Sequence, residues 1–262
     1  MNKNTLKTMK KICFLILLPL AVISGCHDES IKTKQPLPVY LLLGQSNMVG
    51  MRSDASKLPS ELQKNQPNAL FYKNNKWVSI APGVTEDKGF GPEISFSKKM
   101  SEHGKIGIIK ISAGNTTLEN EWNSDNNGEL YLKTLSVIRE AEKTQKIQIQ
   151  GVLWMQGESD GSTKEKAEEY KHRLESLIVN LKKETSNQNL AFSVCRITSP
   201  IDQFPFTPIV RKAQETVSID GYSWFDCDSL SKGPDNLHYD TDGIVKLGEL
   251  FYESITKTNH KN

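Results

Sequence analysis

The sequence predicts an α/β domain built on a parallel sheet with helices on both of its faces. Short apolar runs rich in Ile, Val, Leu and aromatic residues alternate with amphipathic segments along most of the 262 residues. The apolar runs have the length of strands, and their continuous hydrophobicity is typical of strands that are buried on both sides. The repeated alternation of strand and helix indicates βαβ units, and therefore a parallel sheet.

The elements follow one another in a regular order. Five apolar runs are predicted as strands: Val39–Leu43, Ile106–Ile111, Ile147–Met155, Leu190–Ile197 and Tyr222–Cys227. Five helices are predicted between and after them: one from Gly91-Pro92-Glu93 to Gly104, then Glu129–Lys146, Lys164–Glu184, Phe206–Val217 and Thr241–Thr256. One of these segments has Pro in its first turn and Gly after its last turn. Others have a clear apolar stripe along one face. The interval from Arg52 to about Lys88 follows no clear period, and we expect an irregular insertion there.

Composition narrows the classes of partner. The chain has 33 basic and 31 acidic residues, a formal net charge of +2, and part of that excess lies in the first eleven residues. A nearly neutral body gives no reason to expect nucleic acid or an anionic membrane surface as a partner. The length is that of one domain with a sizeable core.

The N-terminus predicts export. Basic residues precede the apolar run Ile12–Ile23, which is too short and too interrupted by Pro for a membrane span but fits the core of a signal peptide. The sequence Ile23-Ser24-Gly25-Cys26 resembles the lipobox of bacterial lipoproteins. We therefore expect a signal peptide over residues 1–25, lipidation of Cys26, a tether over 26–36 and the domain over 37–258. The protein would then meet the membrane only through its lipid anchor, on the periplasmic or cell-surface side. The alternative is an ordinary signal peptide with an incidental Cys26.

Two further cysteines lie in predicted strands. Cys195 and Cys227 can pair in an oxidising compartment. Two cysteines do not define a disulfide framework, however, so separate buried thiols are the favoured interpretation.

A candidate nucleophile follows the first predicted strand. Parallel sheets of this kind bind ligands at the carboxyl ends of their strands, and here the first strand leads into Gly44-Gln45-Ser46-Asn47-Met48. Gly beside Ser at a strand end permits a sharp turn that raises the hydroxyl and leaves backbone N–H groups free. Taken alone, Ser46 is equally well explained as a polar turn residue.

A serine nucleophile needs a base, which is most often histidine. Of the five histidines, four lie in the tether, at a helix end, on a solvated helix face or in the C-terminal tail: His27, His103, His172 and His260. The fifth, His238, lies in the loop after the last predicted strand, with Asp235 three residues before it. A tight turn over that spacing lets the carboxylate orient the imidazole. The alternative is an Asp that only caps the turn.

Two other strand ends offer groups for an oxyanion hole. Gly114 follows the second predicted strand and Gln156 the third. Their backbone or side-chain N–H groups, with that of Ser46, are candidate donors to a tetrahedral intermediate. Glu158 and Asp160 raise the possibility of a metal site, but no His or third carboxylate stands at ligand spacing. No metal or cofactor is predicted.

Four segments together resemble one hydrolase family: Gly44-Gln45-Ser46-Asn47-Met48, Ser112-Ala113-Gly114-Asn115-Thr116, Trp154-Met155-Gln156-Gly157-Glu158-Ser159-Asp160 and Asp235-Asn236-Leu237-His238. They resemble the sialate O-acetylesterase-type branch of the SGNH hydrolases, which includes acetylxylan esterases of carbohydrate esterase family six. The resemblance extends from about Pro38 to Ser254. It implies a flavodoxin-like three-layer α/β/α sandwich with a five-stranded parallel sheet, and metal-free removal of acetyl groups from sugars. The Gly-Asp-Ser and Gly-x-Asn-Asp motifs of the wider superfamily are absent.

The resemblance also implies roles for individual residues. Ser46 is then the nucleophile, His238 the base and Asp235 the residue that orients it. Ser46, Gly114 and Gln156 match the oxyanion hole, and three neighbours match supporting positions: Gln45, Asn115 and Glu158.

The substrate and two other functions remain open at this stage. The expected substrate is an acetylated carbohydrate, either a polysaccharide such as xylan or O-acetylated sialic acid, and the short chain favours the polysaccharide. The alternatives are a non-catalytic carbohydrate-binding lipoprotein and an acetyltransferase that uses the same triad. Trp122 is either a sugar-stacking residue, together with the Arg52–Lys88 insertion, or a loop anchor. The oligomeric state is not predicted.

Overall fold

A computed structural model describes residues 35–86 and 89–259 of the protein. The strands are β1 (Leu37–Gly44), β2 (Gln66–Lys73), β3 (Lys76–Ile80), β4 (Ile106–Ser112), β5 (Ile147–Met155), β6 (Ala191–Arg196) and β7 (Tyr222–Asp226). The helices are α1 (Ser46–Val49), α2 (Glu93–Met100), α3 (Glu129–Thr144), α4 (Lys164–Glu184), α5 (Thr207–Thr216) and α6 (Thr241–Asn259). The predicted signal peptide, the lipidation site at Cys26 and nearly all of the tether lie outside the described residues.

The strands form one seven-stranded sheet in the order β3-β2-β4-β1-β5-β6-β7. All neighbouring pairs are parallel except β2 and β3, which are antiparallel. Helices cover both faces. On β5, a side chain at Gly151 would touch Ile255 of α6, whereas Trp154 bonds Tyr170 of α4. Because residues three apart on a strand point to opposite faces, α6 and α4 lie on opposite sides of the sheet. The predicted α/β architecture is confirmed.

The predicted number of strands was wrong, because the sheet has seven strands and not five. The additional pair, β2 and β3, lies inside the interval expected to be irregular. Asn74 and Asn75 connect the two strands, and both have a left-handed backbone, with φ of 52° and 59°. Two consecutive residues with positive φ form a type I′ turn, and its backbone twist matches the twist of the two strands that it joins. The hairpin lies at the edge of the sheet and exposes polar positions such as Lys76, so it lacks the apolar run of a central strand.

Cys195 and Cys227 form a disulfide, with their Cα atoms 6.3 Å apart. Cys195 lies in β6 and Cys227 follows β7, which is the strand next to β6. Both residues are fully buried. The interpretation as two separate thiols was therefore wrong, since the strand order brings the two residues together.

Candidate active site

Ser46 is the first residue of the single-turn helix α1 and directly follows a sharp turn at the end of β1. A Cβ atom at Gly44 would lie 2.0 Å from the carbonyl oxygen of Met155, so only glycine fits there. The next residue, Gln45, donates its backbone N–H to the same carbonyl at 2.9 Å. Ser46 is 4% exposed, and its hydroxyl forms no hydrogen bond with any residue in the described part of the chain. The turn thus holds the serine at the carboxyl edge of the sheet with its hydroxyl free to react.

Asn47 joins this turn to the loop that carries His238. Its Nδ2 donates to Leu237 O at 3.3 Å, and its Oδ1 accepts from the backbone N–H of Tyr239 at 3.0 Å. Leu237 and Tyr239 are the two chain neighbours of His238. The same Nδ2 also donates to Oε1 of the buried Glu158 at 2.9 Å. One side chain therefore fixes the position of the histidine relative to the nucleophile turn.

Asp235 orients His238 through a local network. The Nδ1 atom of His238 lies 3.0 Å from Asp235 Oδ2, while Oδ1 accepts the backbone N–H groups of Leu237 at 3.1 Å and His238 at 2.9 Å. Arg52 Nε donates to Oδ2 at 3.0 Å. Partial burial acts to raise the pKa of Asp235, but the hydrogen bonds from His238, Leu237 and Arg52 outweigh it and lower the pKa well below the usual range. An ionised carboxylate that is hydrogen-bonded to Nδ1 leaves Nε2 to act as the base.

Two backbone N–H groups are available as oxyanion donors. Gly114 lies beside the nucleophile, since a Cβ atom built on it would be 3.9 Å from Ser46 Cβ. Within the described residues, the N–H groups of Ser46 and Gly114 donate to no protein acceptor. Free N–H groups close to a serine are suited to stabilise the anion that forms when the serine attacks a carbonyl.

Gln156 does not fit the donor role that the motif implied. Its Nε2 donates to Thr116 O at 2.8 Å and to Asp160 Oδ2 at 2.6 Å, which uses both amide hydrogens, and the residue is fully buried. The predicted role of Gln156 in the oxyanion hole is therefore corrected. Its bond to Thr116 instead anchors the loop that presents Gly114.

The three residues expected to support the site differ in position. Glu158 is buried beneath the site, and burial raises its pKa although the bond from Asn47 acts to lower it. In the orientation that satisfies its amide, Gln45 donates to Glu158 Oε2 and to Thr116 O, each at 3.2 Å. Asn115 is exposed, has a φ of 59° and accepts weakly from Ser159 Oγ at 3.5 Å.

Two contacts were not predicted, and the burial of Trp122 decides between its two predicted roles. The bridging role of Asn47 was missed although the residue lies in the quoted motif. Arg52 was assigned to an irregular insertion, and no sequence signal indicated its bond to Asp235. Trp122 is fully buried, packs edge-to-face on Trp154 and donates its Nε1–H to the Thr116 hydroxyl at 3.1 Å. It is a loop anchor and does not face a sugar. No group of His, Cys, Asp and Glu residues in 35–86 or 89–259 is arranged to hold a metal ion.

Comparison with known proteins then identifies the family. A family model described as "Carbohydrate esterase, sialic acid-specific acetylesterase" matches residues 36–257, which is most of the chain. The chain belongs to this family. It is also similar to a "Probable carbohydrate esterase" of Arabidopsis thaliana, with 26% identity over 252 residues that cover 84% of this chain and 92% of that protein. Membership supports carbohydrate esterase activity for this chain.

Solved structures share the fold. An Arabidopsis thaliana protein matches with a TM-score of 0.75 and 24% identity, over 84% of this chain and 97% of that one. The protein NanS matches with a TM-score of 0.66 and 15% identity, over 87% of this chain and 100% of that one. A carbohydrate acetylesterase from Xanthomonas citri matches with a TM-score of 0.64 and 17% identity, over 86% of this chain. The chain spans 57% of the length of that protein. These likenesses confirm the α/β fold of the family.

Proposed function

We propose that the protein is a serine esterase that removes O-acetyl groups from carbohydrates through Ser46, His238 and Asp235. The observation that carries the proposal is the position of Asn47. Its side chain bonds the backbone on both sides of His238 and directly follows the candidate nucleophile. A base oriented by an ionised carboxylate is thereby held next to a serine whose hydroxyl is unbonded within the described chain. That arrangement performs acyl transfer in serine hydrolases.

The reaction follows from these positions. Ser46 Oγ attacks the acetyl carbonyl carbon while His238 Nε2 takes the hydroxyl proton, and the N–H groups of Ser46 and Gly114 bind the oxyanion. The C–O bond to the sugar then breaks, and His238 gives its proton to the departing sugar oxygen. A water molecule, deprotonated by His238, attacks the acetyl-serine; the bond from the acyl carbon to Ser46 Oγ then breaks as His238 returns the proton to Oγ, which releases acetate. Asp235 stabilises the imidazolium in both halves of the reaction.

Several features support an exported enzyme that acts on polymeric sugar esters. The lipobox-like Ile23-Ser24-Gly25-Cys26 favours a lipoprotein. Disulfides persist in oxidising compartments, so the bond between Cys195 and Cys227 favours the same location. The compact chain favours acetylated polysaccharides such as xylan, the substrates of the family six branch, over O-acetylated sialic acid.

Acetate release from three substrates tests the proposal: p-nitrophenyl acetate, acetylated xylan and O-acetylated sialic acid. The wild type should release acetate into water without a sugar acceptor, and Ser46→Ala should lose at least about a thousandfold in kcat. Ser60→Ala is the matched control, since Ser60 is an exposed serine in the connection between α1 and β2, and it should keep full activity. A wild type that turns over none of the three esters, or a Ser46→Ala variant as active as the control, would refute the assignment.

A further inference from the structure

The space above Gly114 is bounded by the proposed nucleophile and by one exposed side chain, that of Met51. A Cβ atom built on Gly114 would lie 3.4 Å from Met51 Sδ and 3.9 Å from Ser46 Cβ. Apart from Gly114 and its two chain neighbours, no other atom of the described residues lies within 4 Å of that point. Both distances are ordinary van der Waals separations, so a carbon of methyl size fits there in contact with the thioether. We call this region the Gly114 space.

The backbone on both sides of Met51 is held in place. The N–H group of Met51 donates to Ser46 O at 3.2 Å, which ties it to the turn that ends α1. The preceding Gly50 has a left-handed backbone with a φ of 89°, and a Cβ atom there would clash with a backbone carbonyl. The following Arg52 bonds Asp235. The main chain of Met51 is therefore fixed, whereas its side chain is 58% exposed at the rim of the site.

The geometry of the reaction decides which part of the ester enters the Gly114 space. The departing sugar oxygen takes its proton from His238, so the sugar lies on the side of the histidine loop. The oxyanion lies at the N–H groups of Ser46 and Gly114. Gly114 follows β4 and the histidine loop follows β7, and these two strands lie on opposite sides of β1 in the sheet. Since the sugar occupies the histidine side, the acyl methyl group takes the side of Gly114 and Met51.

We propose that the Met51 side chain forms the outer wall of the acyl site and sets the preference of the enzyme for acetyl over longer acyl groups. The inference rests on the proposed function, because it takes Ser46 to carry the acyl group. An acetyl methyl group fills the Gly114 space in contact with the thioether, which is polarisable and packs well against apolar groups. Each further methylene of a longer acyl chain has to displace Met51 Sδ. Met51 is thus a specificity determinant and takes no part in proton transfer.

Hydrolysis of p-nitrophenyl acetate, propionate and butyrate tests this, because the esters share one leaving group and differ only in the acyl chain. Met51→Ala should raise the ratio of kcat/KM for butyrate to that for acetate about tenfold, since one misfitting methylene in a pocket changes kcat/KM by about 10–200-fold. Met51→Leu, which nearly conserves the volume, should keep the ratio within about twofold of the wild type. Val179→Ala is the matched control, because Val179 is 54% exposed on α4, and it should leave the ratio unchanged.

A second ratio separates the acyl side of the site from the sugar side. Met51→Ala should leave the ratio of kcat/KM for peracetylated glucose to that for p-nitrophenyl acetate within about twofold of the wild type, because both substrates carry the same acyl group. A shift in this ratio with an unchanged acyl series would place Met51 against the sugar and overturn the inference. An active wild type whose preference for acetate over butyrate survives in Met51→Ala would overturn the inference and leave the proposed function standing. A wild type that hydrolyses none of these esters would refute the proposed function, and the inference with it.

Discussion

Asn47→Ala probes the contact between the nucleophile turn and the histidine loop. Asn47 is 2% exposed and makes three hydrogen bonds, two of them to the chain neighbours of His238. The substitution removes all three while leaving Ser46, His238 and Asp235 unchanged. It therefore separates the positioning of the base from its chemistry.

The structure gives the size of the effect. Removal of the amide leaves Glu158 Oε1 and the Tyr239 N–H without their partners, and each such buried group costs about 1–3 kcal/mol. We expect the free energy of unfolding to fall by about 2–4 kcal/mol, since water can partly replace the bonds. A displacement of His238 by about 1 Å relative to Ser46 would lower kcat about a hundredfold. KM should change little, because Asn47 is buried under the site and does not face a substrate.

Kinetics and urea denaturation should be measured together on Asn47→Ala and on a matched control, Asn187→Ala. Asn187 donates to Ile149 O at 2.9 Å and accepts from the N–H of Asn189 at 3.1 Å, far along the chain from the catalytic loop. The control should lose stability but keep kcat within about twofold of the wild type. If Asn47→Ala retains the wild-type kcat at a temperature where it is folded, the positioning argument is refuted.

Three further predictions concern stability, pH and location. Loss of the bond between Cys195 and Cys227, by reductant or by Cys195→Ala with Cys227→Ala, should lower the free energy of unfolding by about 3–4 kcal/mol, given a sequence separation of 32 residues. Equal urea midpoints with and without reductant would contradict the pairing. Burial raises the pKa of Asp160 to about 7, so the folded protein holds this proton more tightly than the unfolded chain. The contribution of the Asp160 proton to the free energy of unfolding is present below about pH 4 and is lost as the pH rises to about 7. The free energy falls by up to about 1.4 kcal/mol per pH unit in this range. Asp160→Asn should reduce this dependence on pH in denaturation experiments. Cys26→Ala should move the protein from the membrane fraction to the soluble fraction, and an unchanged distribution on fractionation would argue against the lipid anchor.

The fold was predictable where an apolar run is continuous and not where exposed polar residues interrupt it. The five predicted strands correspond to β1, β4, β5, β6 and β7. The apolar runs of β1, β4, β5 and β6 reflect burial on both faces, whereas β7 is an edge strand whose aromatic residues are only partly buried. The β2–β3 hairpin was missed because residues such as Asn68 and Lys76 are exposed and interrupt the apolar pattern. The disulfide was missed for a different reason. Whether two strands are neighbours depends on the order of the whole sheet, which no local pattern contains.

The candidate site was predictable in its local parts. Asp235 and His238 lie three residues apart, so one turn brings them together, and the other histidines were eliminated by their positions. The contacts of Asn47 to Leu237 and of Arg52 to Asp235 span 190 and 183 residues, and only the folded chain creates them. Gln156 was misassigned because the sequence gives its residue type but not its partners.

The Asp160 carboxylate, four residues after Gln156, accepts from the amide that was expected to bind the oxyanion.

Detection of the acyl-enzyme tests the central claim most directly. The wild type is quenched with acid during turnover of p-nitrophenyl acetate, digested and mapped by mass spectrometry. We expect one acetyl group on Ser46 in the wild type and little or none in His238→Ala, because the serine hydroxyl needs the base to lose its proton during the attack. Acetate release by the wild type with no acetyl group on Ser46, together with full activity in Ser46→Ala, would contradict it.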